Sequence, residues 1–321
     1  MTSEFDLIRR HFARPAAASG RARLGIGDDA ALLRAPAGAE LAVTTDTLLE
    51  GTHFLRGTHP GRLGHKALAV NLSDLAAMGA VPRYALLALT LPKADTRWLT
   101  AFSEGFFRLA RRYGVELVGG DTTRGPLSIT VTAIGEVPAG KALRRDGAQA
   151  GDDIWVTGTL GDAAMGLAAL QGHIRLTGRA RQHCVECLEM PQPRVVVGRA
   201  LRGVASAAID LSDGLLADLG HLCERSKLTA EVWLDCVPRP DEISACRTTA
   251  VARHMLLAGG DDYELAFTAP PRMRAKVERA GFGNGVMVTR VGTLKRGSAR
   301  VRVYEGSTLV RMPRGGYDHF R

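Results

Sequence analysis

The sequence has few aromatic residues, no long hydrophobic run and no internal repeat. Phe, Trp and Tyr make up 5% of the 321 residues, whereas nucleic-acid-binding surfaces often combine clustered basic residues with stacking aromatics. The longest clearly apolar run, Tyr84–Leu91, is too short for a membrane-spanning helix, which needs about 20 residues. No repeat of roughly 20–50 residues occurs, which excludes a solenoid. We therefore expect a globular protein with no membrane and no nucleic-acid partner.

Cysteine is also scarce. The five cysteines are an odd number in a long chain, and the N-terminal residues Met1 to His11 lack the apolar core of a secretory signal. Reduced thiols and a cytoplasmic location are therefore expected. Cys184-x-x-Cys187 has no second pair of cysteines at a spacing that would complete a zinc site. We interpret these two thiols as small buried side chains on a helix.

Basic residues exceed acidic ones, but they are not clustered. The chain has 42 Lys and Arg against 33 Asp and Glu, which gives the formal net charge of +9. The densest groups, Arg144-Arg145 and residues 290–302, are modest. A scattered basic surplus is compatible with anionic small substrates or simply with an arginine-rich composition.

Runs rich in Val, Ile and Leu alternate with segments of helical period, which predicts a mixed α/β fold. The segment 138–152 has no apolar period, so we place a domain boundary near residue 148 and expect domains at 1–148 and 149–321. The predicted strands are Leu41–Thr45, Tyr84–Leu91, Glu116–Val118, Ser128–Val137, Ile154–Thr157, Ala207–Ile209, Glu264–Phe267 and Val286–Val291. The predicted helices are Glu4–Phe12, Arg62–Met78, Thr96–Tyr113, Asp162–Leu170, Pro193–Arg202, Leu215–Ser226 and Arg272–Ala280.

One near-match to a phosphate-binding P-loop is rejected. The segment from Gly135 to Ala142 ends in Ala where a hydroxyl should bind Mg²⁺, and Pro138 removes a backbone N–H donor. The residues after it do not form a helical pattern, so a strand exit is the better interpretation.

A recurring pattern of an apolar strand, a small or hydroxyl residue and then Asp is the main functional signal. It occurs at Gly25-Ile-Gly-Asp-Asp29, Thr44-Thr-Asp46, Gly119-Gly-Asp121, Asp210-Leu-Ser-Asp213 and Gly259-Gly-Asp-Asp262. Glycine lets the backbone approach phosphate, and Asp and Thr oxygens suit Mg²⁺. Asp74 joins this set, one turn after Asn71 on a predicted helix. Each Asp taken singly could instead stabilise a turn or cap a helix. Together they favour a metal–phosphate site in loops at strand ends.

These motifs, with Gly51-Thr-His-Phe54, Asn71-Leu-Ser-Asp-Leu-Ala-Ala-Met-Gly79 and the terminal Gly316-Tyr-Asp-His-Phe320, resemble the thiamine-monophosphate kinase family over nearly the whole chain. The resemblance implies an aminoimidazole-ribonucleotide-synthetase-like (PurM-like) fold of two α/β domains. It also implies a homodimer formed through the N-terminal mixed sheets. The implied reaction is ATP-dependent phosphorylation of thiamine monophosphate to thiamine diphosphate, with several Mg²⁺ ions.

The resemblance also implies residue roles. The implied metal ligands are Asp29, Thr44, Thr45, Asp46, Asp74, Asp121, Asp210 and Asp213. The implied ATP contacts are Gly120, Asp121, Arg145 and Ser212. The implied contacts to thiamine monophosphate are His53, Asp261 and Tyr317. The family usually has Glu where this chain has Asp261, so the carboxylate is retained on an arm one methylene shorter.

No catalytic base is expected. The second pKa of a phosphate monoester is about 6, so the attacking oxygen of the acceptor is already largely ionised at neutral pH. Two alternatives stay open at this point. One is a superfamily relative that activates an oxygen with ATP, such as a selenophosphate-synthetase-like or ribonucleotide-cyclising enzyme. The other is a protein that binds a metal–nucleotide complex without turnover.

Overall fold

The computed structural model describes residues 4–13, 22–27, 29–246 and 248–311. The chain divides into two compact units. The first contains the described residues up to Leu75 together with Ala80–Gly140, and the second contains Ala76–Gly79 and the described residues from Lys141 onward. These units are defined by compactness alone. The boundary near residue 148 between separately folding domains stays a prediction.

The first unit is a four-stranded mixed sheet with helices. Its elements are α1 (Glu4–Leu7, continued by a π-helical turn at Ile8–Phe12), β1 (Ala39–Leu49), α2 (Pro60–Ala77), β2 (Val81–Leu91), α3 (Thr96–Tyr113), β3 (Glu116–Arg124) and β4 (Ser128–Pro138). The strand order is β1-β4-β2-β3, in which only the β2–β3 pair is parallel. Strand β4 alternates strictly, with Ile129, Val131 and Ala133 buried on one face, as expected for a half-buried strand.

Helices α2 and α3 approach each other closely through glycine. A Cβ at Gly105 would lie 1.8 Å from Gly61 O, and one at Gly64 would lie 2.1 Å from Phe102 O. Helix α3 begins after Asp95, whose carboxylate accepts the N–H groups of Arg97 and Trp98 at 3.0 and 3.1 Å, an ordinary N-cap. This packing fixes α2, which carries Asp74.

The second unit is a seven-stranded mixed sheet of order β11-β10-β7-β9-β5-β8-β6 with helices. Its strands are β5 (Asp153–Thr157), β6 (Ala207–Leu211), β7 (Leu228–Trp233), β8 (Glu264–Ala269), β9 (Val288–Arg296), β10 (Arg300–Glu305) and β11 (Thr308–Val310). Its helices are α4 (Asp162–Leu170), α5 (Gly178–Glu189), α6 (Val195–Ala200), α7 (Leu215–Ser226), α8 (Thr249–Ala258) and α9 (Arg274–Phe282). The main core lies between the sheet and α7, where Leu215, Leu219 and Leu222 pack against the buried faces of β5, β6 and β7.

The mixed α/β class is confirmed, and every predicted strand and helix overlaps an observed one. The residues after Pro138 form no helix up to Asp153, so rejection of the P-loop is confirmed. All five cysteines lie in the described part of the chain and are free thiols. Among the described helices, none has both the length and the apolar character that a bilayer crossing requires.

Candidate active site

The carboxylates of Asp46 and Asp74 lie close together in the first unit. Thr44 and Asp46 share one face of β1, and Thr44 Oγ1 donates a hydrogen bond to Asp74 Oδ2 on α2. Burial, and after it the negative charge of Asp74, raises the pKa of Asp46 to about 7. The structure therefore brings three of the predicted metal ligands together, in a place where negative charge is unfavourable.

The donor atoms of this group suit a magnesium ion. Asp46, Asp74 and Thr44 offer carboxylate and hydroxyl oxygens, the hard ligands that Mg²⁺ prefers. A dication at this point would reverse the unfavourable interaction between the two carboxylates. Asn71, three residues before Asp74 on α2, donates through Nδ2 to Ala67 O at 3.2 Å, and its buried Oδ1 has no hydrogen-bond partner among the described residues. The residues present therefore fit the metal that the family resemblance implies.

A second group lines a cleft of about 1050 Å³ in the same unit. Asp29 and Asp121 lie in its wall with Gly27, Gly119 and Gly120. Gly120 has φ +148°, and an added Cβ would lie 1.9 Å from Leu87 O. Only glycine fits at this position, and exposed glycine backbone is suited to close approach by phosphate. The structure thus places the predicted ATP contacts Gly120 and Asp121 in the same cleft as Asp29. Asp28, the neighbour of Asp29, lies outside the described residues.

The expectation that these aspartates lie in loops at strand ends is wrong for Asp46 and Asp121. Asp46 is inside β1, which runs to Leu49, and Asp121 is inside β3, which runs to Arg124. The glycines did not end β3, because parallel pairing with β2 continues through Gly120 and Asp121. Strands β1 and β3 form the opposite edges of the sheet.

Asp46 and Asp121 also face opposite sides of that sheet. Asp121 is in register with Ala88, Ala88 with Thr130, and Thr130 with Thr47. Side chains in register share a face, whereas Thr47 and Asp46 are consecutive in β1 and therefore alternate. Thr45, another predicted metal ligand, also faces away from Asp46, and its hydroxyl is 2.8 Å from that of Thr132. Within one copy of the sheet, Asp46 and Asp121 belong to separate groups.

His53 lies in the turn after β1. Its Nδ1 accepts the N–H of Leu49 at 3.0 Å, so a neutral ring carries its proton on Nε2, which can donate to an oxyanion. Lys66 Nζ donates to His53 O at 3.1 Å and supports this turn from α2. Sequence reasoning missed Lys66, although a lysine within the apolar stripe of α2 is an unusual feature.

In the second unit, Asp210 and Ser212 lie at the end of β6, and Asp213 follows. Asp210 is buried within β6, and the chain then turns into α7 at Gly214. Asp218 Oδ2 accepts the N–H groups of Asp213 and Gly214 at 3.0 and 3.1 Å. The N-cap position of α7 is Gly214, so Asp213 lies one residue before it and is not the N-cap residue that the helix-capping explanation requires.

Sequence reasoning missed Asp218. Burial, and after it the negative charge of Asp213, raises the pKa of Asp218 to about 7, while the Arg145 charge acts in the opposite direction. The Arg145 side chain is exposed. Its backbone carbonyl oxygen accepts a hydrogen bond from Ser226 Oγ at 2.7 Å. The signal that could have revealed Asp218 is an acid placed among Leu215, Leu219 and Leu222 on the apolar face of a helix.

Asp261 lies beside Ser212. The N–H of Asp261 donates to Ser212 O, and the N–H of Tyr263 donates to Leu211 O, both at 2.8 Å. Asp261 and Tyr263 have φ of +69° and +49°, a left-handed conformation that costs free energy in non-glycine residues. These bonds hold the loop 259–263 against the end of β6. Tyr317, the remaining predicted substrate contact, lies outside the described residues.

Two further acids support this loop, Asp262 of the Gly259-Gly-Asp-Asp262 motif and Glu264, which the sequence did not single out. Asp262 is half-buried and accepts the N–H groups of Gly161 and Ala163 at 2.8 and 3.3 Å. Glu264 is buried and forms a two-pronged ion pair with Arg194, whose Nε lies 2.6 Å from Oε2. Since both acids bond to protein groups, their role is to position the loop.

Comparison with known proteins identifies the family. Residues 27–137 match the family model described as AIR synthase related protein, N-terminal domain, and residues 149–303 match the corresponding C-terminal domain. The chain is 46% identical over 318 residues to the thiamine-monophosphate kinase of Salmonella typhimurium, covering 99% of this chain and 98% of that protein.

Two solved structures share this fold over most of their length. The crystal structure of the thiamine-monophosphate kinase from Stenotrophomonas maltophilia superposes with a TM-score of 0.84 and 48% identity, covering 91% of this chain and 93% of the other. The structure of AaThiL complexed with AMPPCP and TMP superposes with a TM-score of 0.77 and 30% identity, covering 89% of each chain. The chain belongs to the thiamine-monophosphate kinase family, within the AIR synthase-related proteins.

Proposed function

We propose that this protein transfers the γ-phosphoryl group of ATP to the phosphate of thiamine monophosphate, forming thiamine diphosphate and ADP in the cytoplasm. Full-length similarity to the Salmonella enzyme carries the proposal. The structure of AaThiL with AMPPCP, an ATP analogue, and TMP supports both substrates. Each unit has carboxylate groups that could hold the Mg²⁺ ions required for phosphoryl transfer.

We assign the residue roles unit by unit. In the first unit, Asp46, Asp74 and Thr44 would hold Mg²⁺ in one group, and Asp29 with Asp121 in the other. Gly120 would bring backbone N–H groups to ATP phosphate, and His53 would donate from Nε2 to the phosphate of the acceptor. Thr45 is the remaining predicted ligand of this unit. Bound Mg²⁺ supplies neutralisation of the charge on the transferring phosphoryl group.

In the second unit, Asp210 and Asp213 would be further metal ligands, and Ser212 and Arg145 would contact ATP. Asp218 holds the backbone of the 212–214 turn, and its two N–H···O bonds fix the direction of Asp213. Asp261 would contact thiamine monophosphate, and Tyr317 would pack against its cationic thiazolium ring.

Positioning, and not a catalytic base, accounts for the reaction. A phosphate monoester has a second pKa of about 6, so the acceptor oxygen needs no proton removed at neutral pH. The remaining difficulty is to align two polyanions for in-line transfer, which fixed carboxylates, glycine backbone and cations supply.

Label transfer tests this proposal. With ATP labelled in the γ-phosphate, Mg²⁺ and thiamine monophosphate, we expect label in the terminal phosphate of thiamine diphosphate. Label found only in inorganic phosphate would instead indicate an ATPase. Asp261→Glu is a second test, and we expect a KM for thiamine monophosphate equal to or below that of the unmodified protein. A large rise in KM would show that the pocket is shaped to the shorter side chain.

We also propose a homodimer formed through the first unit's sheet. Three apolar side chains are exposed on the face of β1 that also carries Thr45. They are Leu41 at 44%, Val43 at 62% and Leu49 at 42%. Contiguous exposed apolar patches are uncommon on a monomer and often mark a protein–protein interface. Asp46 and Asp121 occupy opposite sheet edges, three strand spacings or about 14 Å apart, so one ion does not reach both within a single flat sheet. In a dimer, a site that contains Asp46 of one copy can be completed by Asp121 of the second copy.

Heterodimers distinguish a shared site from a self-contained one. Asp46→Asn and Asp121→Asn chains carrying different affinity tags are co-expressed, and the mixed dimer is isolated in two steps. If each site takes Asp46 from one copy and Asp121 from the other, one site of the mixed dimer is intact. We then expect about half of the unmodified activity, from two variants that are each inactive alone. An inactive mixed dimer would place both carboxylates in the same copy's site, and failure to isolate any mixed dimer would contradict the proposed assembly.

A further inference from the structure

Helices α4 and α5 bring three metal-ligating side chains together in the second unit. Gly166 on α4 lies against Cys184 on α5 so closely that a Cβ at Gly166 would be 2.2 Å from Cys184 O. Asp162 begins α4, and His183 and Cys187 lie one turn apart on α5. The helix pair therefore places a carboxylate opposite an imidazole and a thiol.

Two of the three distances among these groups are close to those around a tetrahedral zinc ion. His183 Nε2 is 3.3 Å from Asp162 Oδ1 and 3.7 Å from Cys187 Sγ, and the three ligand atoms all lie within 4.8 Å of one another. Zinc bonds of about 2.0–2.3 Å at tetrahedral angles separate neighbouring ligand atoms by about 3.3–3.6 Å. The two measured separations agree with this to about 0.1 Å.

We propose that Asp162, His183 and Cys187 bind one Zn²⁺ ion, with solvent as the fourth ligand. A mixed O, N and S donor set suits zinc and excludes Mg²⁺, which takes oxygen ligands. The side chain of His183 is 59% exposed, so the ion has an open approach. The interpretation of both thiols as buried hydrophobes holds for Cys184, whereas Cys187 is only partly buried and lies against His183.

A neighbouring hydroxyl holds the Asp162 carboxylate in place. Thr159 Oγ1 donates to Asp162 Oδ2, which fixes the carboxylate and directs Oδ1 toward His183, the arrangement that supporting hydrogen bonds give to metal ligands.

The proposed site is connected to the loop 259–263. The N–H groups of Gly161 and Ala163, on either side of Asp162, donate to the carboxylate of Asp262. An ion bound by both α4 and α5 therefore also fixes the backbone N–H groups that donate hydrogen bonds to Asp262. An ion at this site is therefore expected to stabilise the second unit.

Metal titration of the full chain tests the proposal. Protein treated with a chelator is titrated with Co²⁺, a spectroscopic substitute for Zn²⁺, in the presence of excess Mg²⁺ to occupy oxygen-ligand sites. We expect saturation at one equivalent, with tetrahedral d–d absorption and a thiolate-to-cobalt charge-transfer band, both displaced by Zn²⁺. Cys187→Ser should remove the charge-transfer band, and His183→Gln should weaken Zn²⁺ binding at least tenfold.

Two matched variants control for nonspecific effects. Cys236 is an exposed cysteine and His221 an exposed histidine beside Glu224, and neither belongs to the proposed site. Cys236→Ser and His221→Gln should leave the titration unchanged. Both site variants change partly exposed residues, so we expect them to fold with the far-ultraviolet circular dichroism of the parent. Absence of saturable binding, a spectrum without thiolate, or equal affinities in the site and control variants would overturn the proposal.

Discussion

Replacing Asp46 by Asn should stabilise the metal-free protein at alkaline pH. Burial and the charge of Asp74 raise the pKa of Asp46 from 3.8 to about 7, a shift of about three units. At 1.36 kcal/mol per unit, ionising this carboxyl costs the folded state up to about 4 kcal/mol. The asparagine side chain is nearly isosteric and carries no charge, so it removes this cost.

The direction of the stability change depends on pH. Well below pH 3.8, Asp46 is protonated in both the folded and the unfolded chain, and the variant should match the parent. Because the folded pKa is the higher one, the parent loses stability as pH rises from about 4 to 7, and the loss is complete above that range. At pH 8 we expect the variant to be about 2–4 kcal/mol more stable, a rise in Tm of roughly 5–10 °C.

Thermal melts in chelator at pH 4 and pH 8, each repeated with Mg²⁺, measure this. Mg²⁺ at about 100 times its Kd stabilises a folded protein by about 2.7 kcal/mol, and this gain should appear in the parent and shrink in the Asp46→Asn variant. Asp146→Asn is the control. Asp146 is exposed, and the hydrogen bond and charge of Arg144 lower the pKa of its carboxyl. It should destabilise slightly, whatever the Mg²⁺ concentration. An Asp46→Asn variant less stable than the parent at pH 8 without metal would refute the reasoning, since it would mean that the ionised carboxylate has a structural role.

Two further predictions concern the framework of the candidate site. Arg194→Met should destabilise the second unit by about 3–5 kcal/mol by leaving the buried Glu264 carboxylate unpaired, and adding Glu264→Gln should recover at least half of that in urea unfolding. Arg253→Met breaks the more exposed pair with Glu305 and should change stability by less than about 1 kcal/mol; equal losses in the two variants would contradict this account. Gly120→Ala should cost about 3 kcal/mol or more, since its Cβ meets Leu87 O in a strained conformation. Gly140→Ala, at a left-handed position with open space around the Cβ, should cost about 1 kcal/mol, and an ATP-binding assay should show loss of affinity in Gly120→Ala only.

The alternation and period of the apolar residues predicted much of the secondary structure. Strand β4 and helix α3 were predicted nearly to their ends, because strict period-two burial and an Asp cap with a terminal glycine are local signals. Strands β7, β10 and β11 were missed. Strand β10 reads Arg-Val-Arg-Val-Tyr-Glu, so the period-two strand signal was present in the sequence, and its pairing with β7 shows that the segment is a strand.

The sequence predicts which residue types form the candidate site, but it does not predict how they are grouped. Motif spacing gave the aspartates, but it could not show that β3 continues through Gly120, because strand pairing depends on the distant β2. Nor could spacing separate Asp46 from Asp121, which required the strand order of the sheet. The zinc ligands were missed for a similar reason. Asp162 is distant in sequence from Cys187, and only the packing of α4 on α5 brings them together.

The most direct test of the proposed function is a comparison of phosphoryl acceptors. Purified protein is incubated with Mg²⁺ and ATP, together with thiamine monophosphate or free thiamine, and products are separated by chromatography. We predict stoichiometric thiamine diphosphate and ADP from thiamine monophosphate, with a kcat/KM at least a hundredfold above that for thiamine, which lacks the ionised phosphate nucleophile. Thiamine as the better acceptor, or ADP formed without any thiamine diphosphate, would contradict the proposal.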